Sequence, residues 1–158
     1  MKQNYLLLLL SLFLVNCNSR NSAVSLSSIG LERKQIAQNF AETFLKKCSN
    51  KDYSEIAGFN ISKRFQLKLS SDSIKKTCER IDRINGKGTV EKLVSVHTPN
   101  SPKNFLDVFN FKIKQEKIQR QYYLHLGMYR DQNYVELPFY ISTDENYYET
   151  VRKKYYKK

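Results

Sequence analysis

Four side chains stand out as candidates for moving protons: His97, Asp107, His125 and Glu136. General acid–base catalysis needs such a group held within reach of a substrate in a tuned environment. A carboxyl is tuned when an apolar pocket raises its pKa. Asp107 interrupts the apolar side formed by Phe105, Phe109, Phe111 and Ile113, and Glu136 sits between Val135 and Leu137. Both are candidate polar groups of a cavity, although a solvent-facing place on a strand is the simpler reading. His125 shares its side of an alternating stretch with Tyr123 and Tyr129. That fits a cavity wall and, more simply, an ordinary sheet surface. The two histidines lack the HExxH spacing, so no metal is expected, nor any other cofactor. Asn85-Gly86-Lys87-Gly88 is a turn without P-loop flanks, and no GxSxG elbow occurs, so no catalytic residue is assigned.

Nucleophilic catalysis needs an activated Ser or Cys beside a base. Cys48 and Cys78 fall instead on the apolar faces of two expected helices. They are read either as a disulfide closing a loop of about 30 residues or as two buried small hydrophobes. Lys and Arg number 27 against 15 acids, a formal charge of +12, which attracts anionic lipid, envelope components or acidic proteins. Nucleic acid is disfavoured as a partner, because no RNP-like or zinc-knuckle motif accompanies the charge. The last residues join Arg152, Lys153, Lys154, Lys157 and Lys158 to Tyr155 and Tyr156. They read equally as an anionic-surface contact and as a solvated terminus.

The elements that must position these groups follow from hydrophobic spacing. Met1 and Lys2 precede an apolar run, Tyr5 to Val15, that ends at Cys17. This is the layout of a secretory signal, and it is shorter than the ~20 residues of a membrane span. Residues 18–30 are Ser- and Asn-rich and read as a flexible tether. In residues 31–49, Ile36, Ala37, Phe40, Ala41, Phe44, Leu45 and Cys48 form one apolar helix face. Asp52 to Glu55 fits a capping box opening a short helix, Tyr53 to Ala57, stopped by Gly58. Residues 65–69 fit a strand and an extended connector alike. A helix capped by Ser70 or Ser71 runs to about Ile84, with Ile74, Cys78, Ile81 and Ile84 inward. The period then switches to two over residues 88–97, 104–114, 119–129 and 134–142, with a slip near Leu93 that suggests a bulge. Pro138 marks the last strand as an edge or a bulged strand. The expected fold class is α+β: N-terminal helices packed on one curled antiparallel sheet of about four strands. Residues 143–158 fit a short helix and disorder alike.

Leu14-Val15-Asn16-Cys17 resembles a bacterial lipobox, with Asn16 departing from the usual small residue before the Cys. The resemblance implies a signal peptide over residues 1–16, acylation of Cys17 by at least two chains, and a tether over 17–30. It places the chain in the bacterial cell envelope, lipid-anchored at the periplasmic face or cell surface, where disulfides are permitted. Helix order, the Phe44-Leu45 and Asp52-Tyr53 stretch and the following meander resemble the nuclear transport factor 2-like cone over residues 31–142. That fold supplies a cavity rather than a function. Two functions stay open. One is a non-enzymatic binding module for a ligand, envelope component or protein. The other is a small isomerase-like enzyme using the cavity.

Overall fold

The structure is a computed structural model that describes residues 21–100, 105–130 and 132–156. It is α+β, with five antiparallel strands in the order β1-β2-β3-β4-β5 forming a curled open sheet. β1 is Asn21–Val24, β2 Gly88–Pro99, β3 Leu106–Gln115, β4 Tyr122–Tyr129 and β5 Val135–Ser142. The helices are α1 (Leu31–Ser49), α2 (Lys63–Gln66), α3 (Ser71–Asn85) and α4 (Tyr147–Tyr156). Among the described residues no helix is long and apolar enough to cross a membrane.

α1 buries Ala37, Phe40, Ala41, Phe44 and Leu45, the stripe its 3.6-residue spacing dictates. Glu32 in its first turn and Lys46 and Lys47 in its last oppose the helix dipole favourably. The expected helix at 53–57 does not form. Asp52 Oδ1 accepts from the N–H and hydroxyl of Ser54 (3.0 and 2.7 Å), while Oδ2 takes Lys47 Nζ at 2.7 Å. A side chain bonded two residues on makes a turn, which competes with capping a helix. The Lys47 bond, then those from Ser54, hold the Asp52 carboxyl well below the usual carboxylate range. Residues 65–69 are neither strand nor extended. Phe65 belongs to α2 and Leu69 lies one helical turn further on; both are buried, while Leu67 between them is 80% exposed. α3 is capped by Ser70, whose hydroxyl accepts from Ser73 N–H, and stops at Gly86 (φ 73°). Its inner face is Ile74, Cys78, Ile81 and Asn85, and Ile84 turns outward at 55% exposure. Cys48 of α1 and Cys78 of α3 form a disulfide with Cα atoms 4.8 Å apart.

The fifth strand is the segment read as tether. Asn21–Val24 pair with Val96–Pro99, a short turn follows at Leu26–Ser28, and Ile29 enters the core. β2 carries two register shifts, Val90/Lys92 and Leu93/Ser95, where its alternation slips. β5 is an edge strand, and its register with β4 shifts at Leu126/Gly127. A Cβ at Gly127 would lie 2.5 Å from Leu137 O, so the strands meet there only because residue 127 has no side chain.

The helix-facing side of the sheet presents Phe109, Phe111, Ile113, Leu124, Leu126 and Met128. Phe40 packs its ring on Phe59, Phe65 and Phe139 at 5.2–5.7 Å, and Phe44 meets Phe139 at 4.6 Å. These rings fill the space between helices and sheet, close to the edge-to-face geometry aromatic pairs prefer. α4 covers the opposite side, with Tyr147 5.6 Å from the His125 ring. Its apolar positions, Tyr147, Tyr148, Val151 and Tyr155, recur at helical spacing.

Candidate functional site

The proton-moving residues fall into two separate groups, and three of them are buried rather than solvent-facing. Asp107 lies on the helix-facing side of β3, in register with Met128. Arg33 Nη1 of α1 reaches its Oδ2 at 2.9 Å, and Arg130 Nε its Oδ1 at 3.3 Å. Arg33 also donates to Tyr129 O (2.8 Å), with its guanidinium 5.6 Å from the Phe109 ring centre. The carboxylate therefore clamps α1 to β3 and the end of β4. A buried charge so paired is a structural tie whose loss leaves two uncompensated cations.

Glu136 is 2% exposed. Its Oε1 accepts from Leu137 N–H (2.6 Å) and Arg64 Nε (3.4 Å), and its Oε2 from Tyr129 Oη (3.3 Å). Burial pushes the Glu136 carboxyl up, but Leu137 N–H, the Ser62 hydroxyl and Arg64 outweigh it and hold it below its ordinary value. An acid–base carboxyl at neutral pH needs the opposite shift. Tyr129 links the two carboxylates only indirectly, through its backbone oxygen to Arg33 and its hydroxyl to Glu136.

His97 and His125 meet on the other side of the sheet, through Asn110. Asn110 Nδ2 lies 3.3 Å from the carbonyls of Ser95 and Val108 and 3.0 Å from His97 Nδ1. Two carbonyls can only accept, so Nδ2 faces them and Oδ1 faces His125 Nδ1 at 2.7 Å. The His125 proton consequently sits on Nδ1, and Nε2 accepts from Ser142 Oγ–H at 2.8 Å. Thr150 Oγ1 lies 2.9 Å from Ser142 Oγ and donates to Asp144 Oδ2 at 3.3 Å. Ser142 Oγ also accepts Asp144 N–H at 3.3 Å, and Lys153 pairs with the Asp144 carboxylate. Burial lowers His125 to about 4, against the attraction of Asp144 and with a smaller contribution from His97. Burial likewise lowers His97, against Glu145.

Ser142, His125 and Asn110 stand in the order nucleophile, base, orienter. The string nevertheless runs beneath α4. His125 is fully buried, Tyr147 packs on its ring, and Ser142 Oγ lies within hydrogen-bond distance of His125, Thr150 and both the N–H and the carbonyl of Asp144. Placed so, it pins α4 to the sheet. Asn110, Ser142 and Thr150 carried no chemical signal in the sequence, because each looks like an ordinary polar position until β3, β4, β5 and α4 come together.

The openings of the molecule lie elsewhere. One groove of about 260 Å³ runs between α3 and β5, lined by Thr77, Arg80, Ile81, Ile84, Asn85, Tyr122, Phe139, Tyr140 and Ile141. Another, of about 280 Å³, lies between β5 and α4, lined by Leu137, Pro138, Phe139, Tyr140, Tyr147, Thr150, Val151, Lys154 and Tyr155. Phe139 and Tyr140 line both, so the two grooves flank one strand. Neither contains His97, Asp107, His125 or Glu136. Among the described residues no group of three or more His, Cys, Asp and Glu is placed to hold a metal ion. In the tail, Arg152 pairs with Glu149 at 2.6 Å, Lys153 is held by Asp144, and Lys154 Nζ lies 5.8 Å from the Tyr155 ring centre. Cys17, Lys157 and Lys158 lie outside the described residues. No family model, no curated protein and no solved structure matches the chain.

Proposed function

We propose that this chain is a bacterial lipoprotein whose nuclear transport factor 2-like domain, held at the cell envelope by acylated Cys17, acts by binding rather than by turnover. One observation carries the reading. The interior that a cone would offer to a substrate is occupied by Phe40, Phe44, Phe65 and Phe139, all packed ring to ring. Of the open surface, the two grooves beside β5 carry the aromatic and aliphatic groups that interfaces use, among them the exposed Tyr140 and Ile84, whereas the wider openings beside α1 and residues 57–60 are lined largely by Asn, Gly and charged groups. Asp107 is engaged by Arg33 and Arg130 in holding the fold, and Glu136 is held below its ordinary value, opposite to what an isomerase-like acid needs.

Anchoring has a geometric consequence. β1 begins at Asn21, so only residues 18–20 lie between Cys17 and the sheet. The four Cα–Cα steps reach at most about 14 Å. Asn146, beside the start of α4, donates to Asn21 at 3.2 Å. The basic helix therefore starts next to the point where the lipid tether joins the domain. Two acyl chains anchor stably where one binds only marginally. Cys17→Ala is expected to abolish metabolic acyl labelling and to release the chain from the membrane fraction; labelling at the normal level would refute the anchor. Beyond the paired Arg152 and Lys153, the last cations are Lys157 and Lys158. Near an anionic bilayer each is worth about 1 kcal/mol. Changing both to Gln in the Cys17→Ser chain should weaken its binding to vesicles one-third phosphatidylglycerol by roughly thirtyfold at low salt. Unchanged binding would remove the tail from the membrane contact.

A further inference from the structure

We propose that β5 accepts an extended acidic segment of a partner protein as a sixth strand of the sheet. The inference deepens the binding reading above and rests on it. β5 is the outer strand on the side of the sheet opposite β1. Its start is covered: Val135 bridges Ile61, and its N–H and C=O bond to Asn60 and Ser62. Leu137 N–H is turned to the Glu136 carboxylate, and Pro138 has no N–H. The stretch left to pair is therefore 139–141. An outer strand presents part of its N–H and C=O groups sideways, a template for another chain.

The grooves say what kind of chain would fit. Side chains of an added strand point alternately to the two faces of the sheet. The two grooves open on those two faces of this one strand. On the helix side Ile81, Ile84 and Ile141 offer an apolar slot. On the other side Tyr140, Val151 and Lys154 offer a second. Ile84 and Tyr140 are 55% and 45% exposed, an arrangement that an added strand would cover. Each groove also carries a cation, Arg80 in the first and Lys154 in the second. Two copies of a chain with a formal charge of +12 repel, whereas an acidic segment is drawn in. Slots that alternate on the two faces of one outer strand match the side chains of an extended peptide, which favours a protein partner over lipid.

The test uses the full chain in detergent and an eight-residue peptide of alternating valine and glutamate with blocked ends. Binding is followed by fluorescence polarisation, and amide exchange reports on residues 139–142. The expected result is saturable binding with slowed exchange at 139–141. N-methylation of alternate peptide amides, replacement of glutamate by lysine in the peptide, and Ile84→Glu in the chain should each weaken binding at least tenfold, the last with an unchanged melting temperature. Equal binding of both N-methylated registers would show groove contact without strand pairing and overturn the proposal. So would slowed exchange that appears with chain concentration alone, which would make the occupant a second copy. Absence of binding also overturns it. None of these outcomes decides between binding and turnover, which is tested separately by complementation with variants of the buried polar groups.

Discussion

Removing the Cys48–Cys78 cross-link is expected to cost roughly 3–4 kcal/mol of folding stability. The bridge joins residues 30 apart, and closing a loop of that length in the unfolded chain removes about this much free energy in the chain-entropy model. It also fixes the end of α1 to the middle of α3, the two helices that cover one side of the sheet. Reduction by dithiothreitol isolates the cross-link, because it leaves both side chains in place. Urea unfolding with and without reductant measures the difference. Coincident curves would contradict it, as would two titratable thiols at residues 48 and 78 in the denatured, unreduced chain.

Acid should weaken the fold through His125. Its folded-state pKa is about 4 against 6.5 for the free imidazole, because burial beneath Tyr147 disfavours the cation. Asn110 from β3, Ser142 from β5, Tyr147 from α4 and the nearby His97 and Asp144 surround it. As pH falls the unfolded chain takes the proton first. The stabilisation is therefore complete above about 6.5 and is lost as pH falls towards 4. About 2.5 pKa units correspond to roughly 3 kcal/mol. His97, lowered by burial as well, acts in the same direction. Urea unfolding at pH 7.5 and 4.5 should show the loss in the parent chain and a much smaller loss in His125→Gln. Equal losses in the two would contradict the assignment. Glu136, held below its ordinary value, adds a further loss only when pH falls below that value.

Local periodicity made the frame legible. The α1 stripe from Ala37 to Leu45, the Ser70 cap, the Gly86 stop and the alternation in β3, β4 and β5 are patterns read within ten or fifteen residues. β1 was not legible, because a short edge strand is held by backbone hydrogen bonds to β2 that a Ser- and Asn-rich segment makes as well as any other. Nor was the turn at Asp52, where a side-chain bond to Ser54 wins over helix capping. The candidate site failed to read for a related reason. Glu136 and His125 occupy positions that alternate as surface residues do, and Asp107 interrupts an apolar side with nothing nearby in the chain to pair it. What buries them arrives from Arg33, Arg64, Arg130, Asn110, Ser142 and α4, separated by up to 74 residues in the chain. An alternation pattern carries no information about the partner on the other side of a buried polar group.

The central claim is that this chain works through its surface along β5 and that its buried polar groups hold the fold. Complementation of a strain lacking the chain, with each variant shown folded at the assay temperature, tests it most directly. Ser142→Ala and Glu136→Gln should restore the phenotype, because each removes a structural bond and no chemistry. The double variant Ile84→Glu, Tyr140→Glu changes two exposed positions, one on β5 and one beside it, and should fail to restore it at an unchanged melting temperature. Rescue by the surface variant, together with loss of rescue in a folded Ser142→Ala or Glu136→Gln chain, would contradict the claim and move the function to the buried polar groups.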